Sequence, residues 1–211
     1  MWATNAQAVL ESVAAGCYFC VMSDGQDDHS KAALSRELIL AALQALSDEL
    51  GRRNVTGELC LVGGTVMVLA FAARPSTKDV DAIFHPTQII RDAARVVGAA
   101  QSLPAHWLND AAKGFISTRH ETTQLGLPQF PHLRLLMPTP EYLLAMKCMA
   151  SRIGSVEGEA DDVSDIVFLI RHLKLGGAAA VMDIVAGYYP ANRIPVKAQF
   201  LVEGLFAEGK V

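Results

Sequence analysis

The chain has 211 residues, of which 51% are hydrophobic and 19% charged, enough apolar material for a sizeable core and too much for wholesale disorder. Its formal net charge of −4 disfavours a broadly basic nucleic-acid binder but leaves room for a local basic groove. No apolar run reaches the ~18 residues that span a bilayer, and no basic start followed by an apolar segment opens the chain, so a cytoplasmic protein without a membrane partner is expected.

Residues 1–30 read as a leader that is either mobile or packed on a partner. Cys17 and Cys20 form a lone C-x-x-C there, with His29 the nearest further ligand and no second pair at zinc-ribbon spacing. Over 35–50 the positions Leu38, Ile39, Leu40, Leu43, Leu46 and Leu50 recur at helical spacing, and Gly51 is the expected stop. The run 58–62, bounded by glycines, predicts a buried strand containing Cys60, and 65–73 a helix beginning just after Gly63 and Gly64. Alternation of acidic and apolar residues over 79–84 predicts a strand with one polar face. A helix follows at Thr87–Ala100 and another strand at 133–137.

Thr139 suits a helix N-cap and Pro140 the first helical position, for a helix reaching about Arg152 and burying Cys148. After a loop at 154–158, helices are expected over 160–173, Ala178–Tyr188 and 196–208. The fold class is therefore α/β (α+β): a small mixed sheet flanked by helices over 31–138, followed by a helical C-terminal region over 139–211.

The chemistry concentrates in Gly63-Gly64-Thr65 and in Arg74-Pro75-Ser76-Thr77-Lys78-Asp79-Val80-Asp81. Two residues apart on a strand, Asp79 and Asp81 point to one face about 6.6 Å apart along it. Carboxylates so close repel, and a divalent cation, Mg²⁺ or Mn²⁺, removes the conflict. A strand entering a helix through two glycines offers backbone N–H groups to phosphate, and the Thr65 hydroxyl can add a donor. Arg74 and Lys78 flank the acids, either to contact phosphate or to balance Asp79 and Asp81.

Gly-Gly-Thr followed by Ser-Thr-Lys-Asp-Val-Asp resembles the nucleotidyltransferase superfamily that includes DNA polymerase β. More narrowly, Arg74-x-Ser-Thr-Lys-Asp-Val-Asp, then Leu143-Leu144-Ala145-Met146-Lys147, then Asp162-Val163-Ser164-Asp165-Ile166 is similar to the AbiEii-type nucleotidyltransferases. These include toxins of type IV toxin–antitoxin systems, some of which modify tRNA ends. The resemblance covers residues 57–175. It implies metal-dependent transfer of a nucleoside monophosphate from an NTP to a hydroxyl acceptor, an RNA such as tRNA or a protein, with an antitoxin as a further partner. It makes Asp79 and Asp81 metal-binding and catalytic, Lys147 a phosphate-binding lysine of the cleft, and Asp165 or Asp162 the acid that completes the site. Gly63, Gly64, Thr65, Arg74, Lys78 and Asp162 form the expected nucleotide-binding set.

Bland readings stand beside these. Lys147 among apolar neighbours can snorkel to solvent. Trp107 suits a core or lid better than a base platform, and Tyr188-Tyr189 suits closure of a helical core. Asn109 and Asp110 can cap a helix containing Ala111 and Ala112. Many polymerase-β-like enzymes carry a third carboxylate on a later strand, whereas Leu133-Arg134-Leu135-Leu136-Met137 has none. The third acid is then Asp162, Asp165 or Asp110; failing that, the chain is a non-catalytic nucleotide- or protein-binding module.

Overall fold

A computed structural model describes residues 33–151 and 159–211. The leader at 1–30 with its C-x-x-C and His29, Arg152, and the loop at 154–158 lie outside the described residues.

The first elements are a two-residue strand β1 (Leu34–Ser35) and helix α1 (Arg36–Arg52). Ser35 caps the helix, its hydroxyl accepting from Leu38 N–H at 3.3 Å. Ile39, Leu43, Leu46 and Leu50 are buried, whereas Leu38 points outward. The expected stop at Gly51 is corrected: the helix runs on to Arg52, and Asn54 takes the left-handed position with φ 54°. Gly51 has a packing role instead, since a Cβ there would stand 2.6 Å from the His132 ring.

Strand β2 (Gly57–Leu61) leads into helix α2 (Gly63–Leu69), so the glycines open the helix rather than precede it, and it ends short of the expected residue 73. Strand β3 (Ser76–Thr77) pairs antiparallel with β1. Strand β4 (Val80–His85) starts one residue later than its alternation suggests, leaving Asp79 just ahead of it. Helix α3 (Thr87–Ala100) buries Ile90, Ala93, Ala94 and Val97. Three short pieces follow: strand β5 (Leu108–Asn109), a 3₁₀ turn (Ala111–Phe115) and strand β6 (Thr122–Thr123). Strand β7 (Leu133–Pro138) completes the sheet.

The five-stranded sheet has the order β5-β4-β2-β7-β6. β2 runs antiparallel to β4 and parallel to β7, so the sheet is mixed. Leu59 lies opposite Phe84 and beside Leu135, and Leu61 lies opposite Ala82. Side chains at such positions share a face, and all five are buried. On that face a Cβ at Gly57 would meet Leu50 of α1 and Ile90 of α3, so these two helices cover it. By the two-residue alternation the opposite face carries Cys60, Ile83, Leu136 and Asp81.

The rear half is helical, with α4 (Pro140–Ala150), α5 (Glu159–His172), α6 (Ala178–Tyr188) and α7 (Val196–Ala207). Thr139 caps α4, accepting from Tyr142 N–H at 3.4 Å. α4 is buried on nearly every side, from Tyr142 to Met149, as expected of a helix enclosed by neighbours. α5 and α6 pack on it, and α7 packs on α6. Trp107 and Tyr189 are core residues; the indole Nε1 donates to Ala94 O at 2.9 Å. Among the described residues no helix is long and apolar enough to cross a membrane.

Candidate active site

A cleft of about 390 Å³ opens where the β2–α2 turn and the start of β4 meet the 3₁₀ turn, α4 and α5. One wall is built by Gly63, Gly64, Asp79 and Asp81, and Arg74, Lys78, Lys147 and Asp162 also line it. The sequence-predicted residues, separated by up to 99 positions in the chain between Gly63 and Asp162, therefore meet around one concavity. Thr65 and Asp165 lie outside its lining.

Asp81 is the point of contact between the acidic strand and the glycine turn. Gly63 adopts φ +62°, a conformation that favours glycine. A Cβ there would stand 3.1 Å from Asp81 Oδ2. The absence of a side chain thus makes room for the carboxylate. Gly64 is needed for a different reason: a Cβ would lie 2.5 Å from Thr77 Oγ1 and 3.3 Å from Arg74 Nη1. Besides any approach of phosphate to the backbone, both glycines are thus required by the side chains packed against them.

Asp79 is held from both ends. Its Oδ2 accepts from Asn109 Nδ2 at 2.9 Å, and its carbonyl accepts from the Thr65 hydroxyl at 3.2 Å. Thr65 is fully buried, and its hydroxyl ties down the backbone just ahead of β4. Asn109 was legible in sequence only as a cap. It does cap the 3₁₀ turn, with Oδ1 accepting from Ala111 N–H at 2.9 Å, but its amide nitrogen also orients Asp79.

Behind the cleft lies a buried ion network. Asp165, 1% exposed, accepts from Arg74 Nε at 2.6 Å and Nη2 at 2.8 Å, and from Lys147 Nζ at 2.6 Å. Lys147 also reaches Asp162 Oδ1 at 3.3 Å. Only 8% exposed, Lys147 does not snorkel to solvent. Both oxygens of Asp165 are engaged by Arg74 and Lys147, which line the cleft while Asp165 itself does not. Asp110 pairs with Arg91 at 2.5 Å and with Lys113 and is not among the lining residues. Asp162 is the acid of α5 that reaches the cleft.

Among the described residues, Arg74, Lys78 and Lys147 of the lining stand against Asp79, Asp81 and Asp162, with Asp165 beyond the lining, three positive charges against four negative. A divalent cation would turn that balance from −1 to +1 and so make the cleft attractive to a polyphosphate. Among the described residues no cluster of three or more His, Cys, Asp or Glu side chains forms a closed metal cage. Mg²⁺ commonly takes only one or two carboxylates, the rest of its shell being water and substrate phosphate. Asp79 and Asp81, hard oxygen donors on one wall, fit that demand.

The cleft lining also has an apolar part: Ala111, Ala112 and Phe115 from the 3₁₀ turn and Leu143, Met146 and Ala150 from α4. Phe115 was not singled out in the sequence, where Ala-Ala-Lys-Gly-Phe carries no motif. Two basic residues of the rear half bond to backbone carbonyls. Arg171 Nη2 donates to Lys210 O at 2.6 Å and Lys197 Nζ to Ser151 O at 2.7 Å. No model of a protein family matches the chain, and neither a curated protein nor a solved structure does.

Proposed function

We propose that this cleft binds a nucleoside triphosphate with Mg²⁺ or Mn²⁺ and transfers its nucleoside monophosphate to a hydroxyl acceptor. The observation that carries the reading is the convergence of Asp79 and Asp81 with Gly63, Gly64 and Lys147 on one cleft, with the Asp81 carboxylate against Gly63. In the reaction an oxygen–phosphorus bond forms between acceptor and α-phosphate, the α–β bridging bond breaks, and pyrophosphate leaves with its electron pair. When bound, the cation supplies charge neutralisation for the triphosphate and eases loss of the acceptor's proton.

The chain's own residues do the remaining work. Asp79, oriented by Asn109, and Asp81 hold the cation. Lys147 and Arg74, fixed by Asp165, keep positive charge at the phosphate side. Positioning and electrostatics of this kind dominate phosphoryl-type transfer. The resemblance to AbiEii-type enzymes favours an RNA acceptor such as tRNA, or a protein, and an antitoxin as regulator in the cytoplasm. A second reading, a nucleotide- or protein-binding module without turnover, is favoured by one feature: β7 has no acid, and Asp162 is engaged by Lys147.

The test incubates the purified chain with each labelled NTP, Mg²⁺ and total RNA, and follows pyrophosphate and labelled RNA or protein. Turnover lost in Asp79→Ala and Asp81→Ala, with the melting transition kept, is the expected result. Turnover retained in these variants ends the metal-site reading, and Mg²⁺–NTP binding without pyrophosphate release selects the module.

A further inference from the structure

The charged residues of the cleft account for the phosphates and the cation; its apolar lining is left over. It consists of Ala111, Ala112, Phe115, Leu143, Met146 and Ala150, with no hydrogen-bonding group beyond the weakly accepting Met146 sulfur. Its aromatic member, Phe115, is 37% exposed although it borders a concave site. An aromatic ring left open at a cleft costs apolar exposure that a flat ligand would relieve.

The ring is carried on a firmly tied turn. Tyr189 Oη donates to Phe115 O. Two residues on, Ser117 N–H donates to Tyr142 Oη at 2.8 Å and the Ser117 hydroxyl donates to Tyr188 O. Tyr142 and Tyr188 stack with centroids 4.8 Å apart, so the turn is fastened to the rear helices. The turn's own amides are also used. Ala111 N–H goes to Asn109 Oδ1 at 2.9 Å, Lys113 N–H to Asp110 O at 3.2 Å, and Ile116 N–H to Lys113 O at 3.4 Å.

We propose that Phe115 is the nucleobase platform of the cleft, and that the wall around it selects bases by stacking area and not by their hydrogen-bonding edges. This rests on the nucleotidyltransferase reading, which supplies the triphosphate in the same cleft. Every base has a π-face, so stacking tolerates sequence, while edge recognition needs strong donors and acceptors that these side chains lack. ATP and GTP should therefore bind alike, and both more tightly than CTP and UTP. Tyr189 is a positioning residue that sets the height of the ring through the Phe115 carbonyl.

Calorimetric titration with Mg²⁺–ATP and with Mg²⁺–tripolyphosphate, which has no base, tests the proposal. Phe115→Ala should weaken ATP roughly five- to hundredfold, the range of one lost base stack, and leave tripolyphosphate unchanged. Phe115→Trp should restore ATP binding, which guards against a merely misfolded alanine variant. Tyr189→Phe should weaken ATP less than Phe115→Ala does and leave tripolyphosphate unchanged. Equal loss of both ligands in Phe115→Ala, no loss of either, or a more than tenfold gap between ATP and GTP in the wild type overturns the platform and leaves the nucleotidyltransferase reading standing. Failure of the wild type to bind either ligand overturns that reading, and the platform with it.

Discussion

Arg74 and Asp165 are 91 residues apart in the chain and meet face to face, Nε to Oδ1 at 2.6 Å and Nη2 to Oδ2 at 2.8 Å. The pair joins the loop that leads to Asp79 with helix α5. Lys147 joins α4 to the same carboxylate. Removing one member of a buried ion group strands the others without compensation, which typically costs about 3–5 kcal/mol. Asp165→Ala should therefore lower unfolding free energy by about that amount in urea titrations, whereas a loss below ~1 kcal/mol would show that solvent replaces the carboxylate easily.

Asn109 reaches the candidate cation site only through Asp79. Groups that orient a ligating carboxylate typically contribute 10–100-fold to metal affinity. Asn109→Ala should weaken Mn²⁺ binding by about that factor, as read by water-proton relaxation, with little change in the melting transition. Unaltered Mn²⁺ affinity would mean that Asp79 needs no orientation.

Gly64 decides between two opposing effects. Glycine to alanine within a helix ordinarily stabilises by about 0.5–1 kcal/mol. Here the new methyl would meet Thr77 Oγ1 at 2.5 Å, and overpacking typically costs about 1–3 kcal/mol. Gly64→Ala should destabilise on balance, and adding Thr77→Ala should recover part of the loss. A single variant as stable as the wild type would place the clash elsewhere.

Two thiols, the half-buried Cys60 and the buried Cys148, give an alkaline signature. Burial, aided by the nearby Glu58 charge, pushes the Cys60 thiol up to about 11, and burial alone pushes Cys148 up to about 12. An unfolded thiol titrates near ~8.5. The folded state thus holds these protons more tightly. Their stabilising contribution is complete below about pH 8.5 and is lost as pH rises through the folded values. Across that window, unfolding free energy should fall less steeply in Cys60→Ala/Cys148→Ala than in the wild type; parallel curves would remove the thiols from the account.

Much of this architecture is visible in residue order because local signals agree with packing. Thr87–Ala100 and Ala178–Tyr188 fall where their periodicity puts them, and Thr139-Pro140 marks the start of α4. The glycine–aspartate constellation is legible for the same reason: its members are close in sequence, and strand alternation sends Asp81 to the face opposite the α1–α3 core. What escapes is non-local. Strands of two residues, such as β1, β3 and β5, have no period to detect. Thr65 carries a hydroxyl whose destination, the Asp79 carbonyl, depends on how α2 crosses β4. Asp165 reads as an acid on a helix face until Arg74 and Lys147 arrive from elsewhere, and Phe115 gains its meaning from a wall contributed by α4.

The short ladder between Leu34–Ser35 and Ser76–Thr77 has a mechanical consequence. Thr77 sits over Gly64, so the two hydrogen-bonded segments act as a latch on the glycine corner. Undoing the latch would let Thr77 swing away and slacken that corner. Removing Leu34 and Ser35 would thus disturb the cleft although neither is among its lining residues.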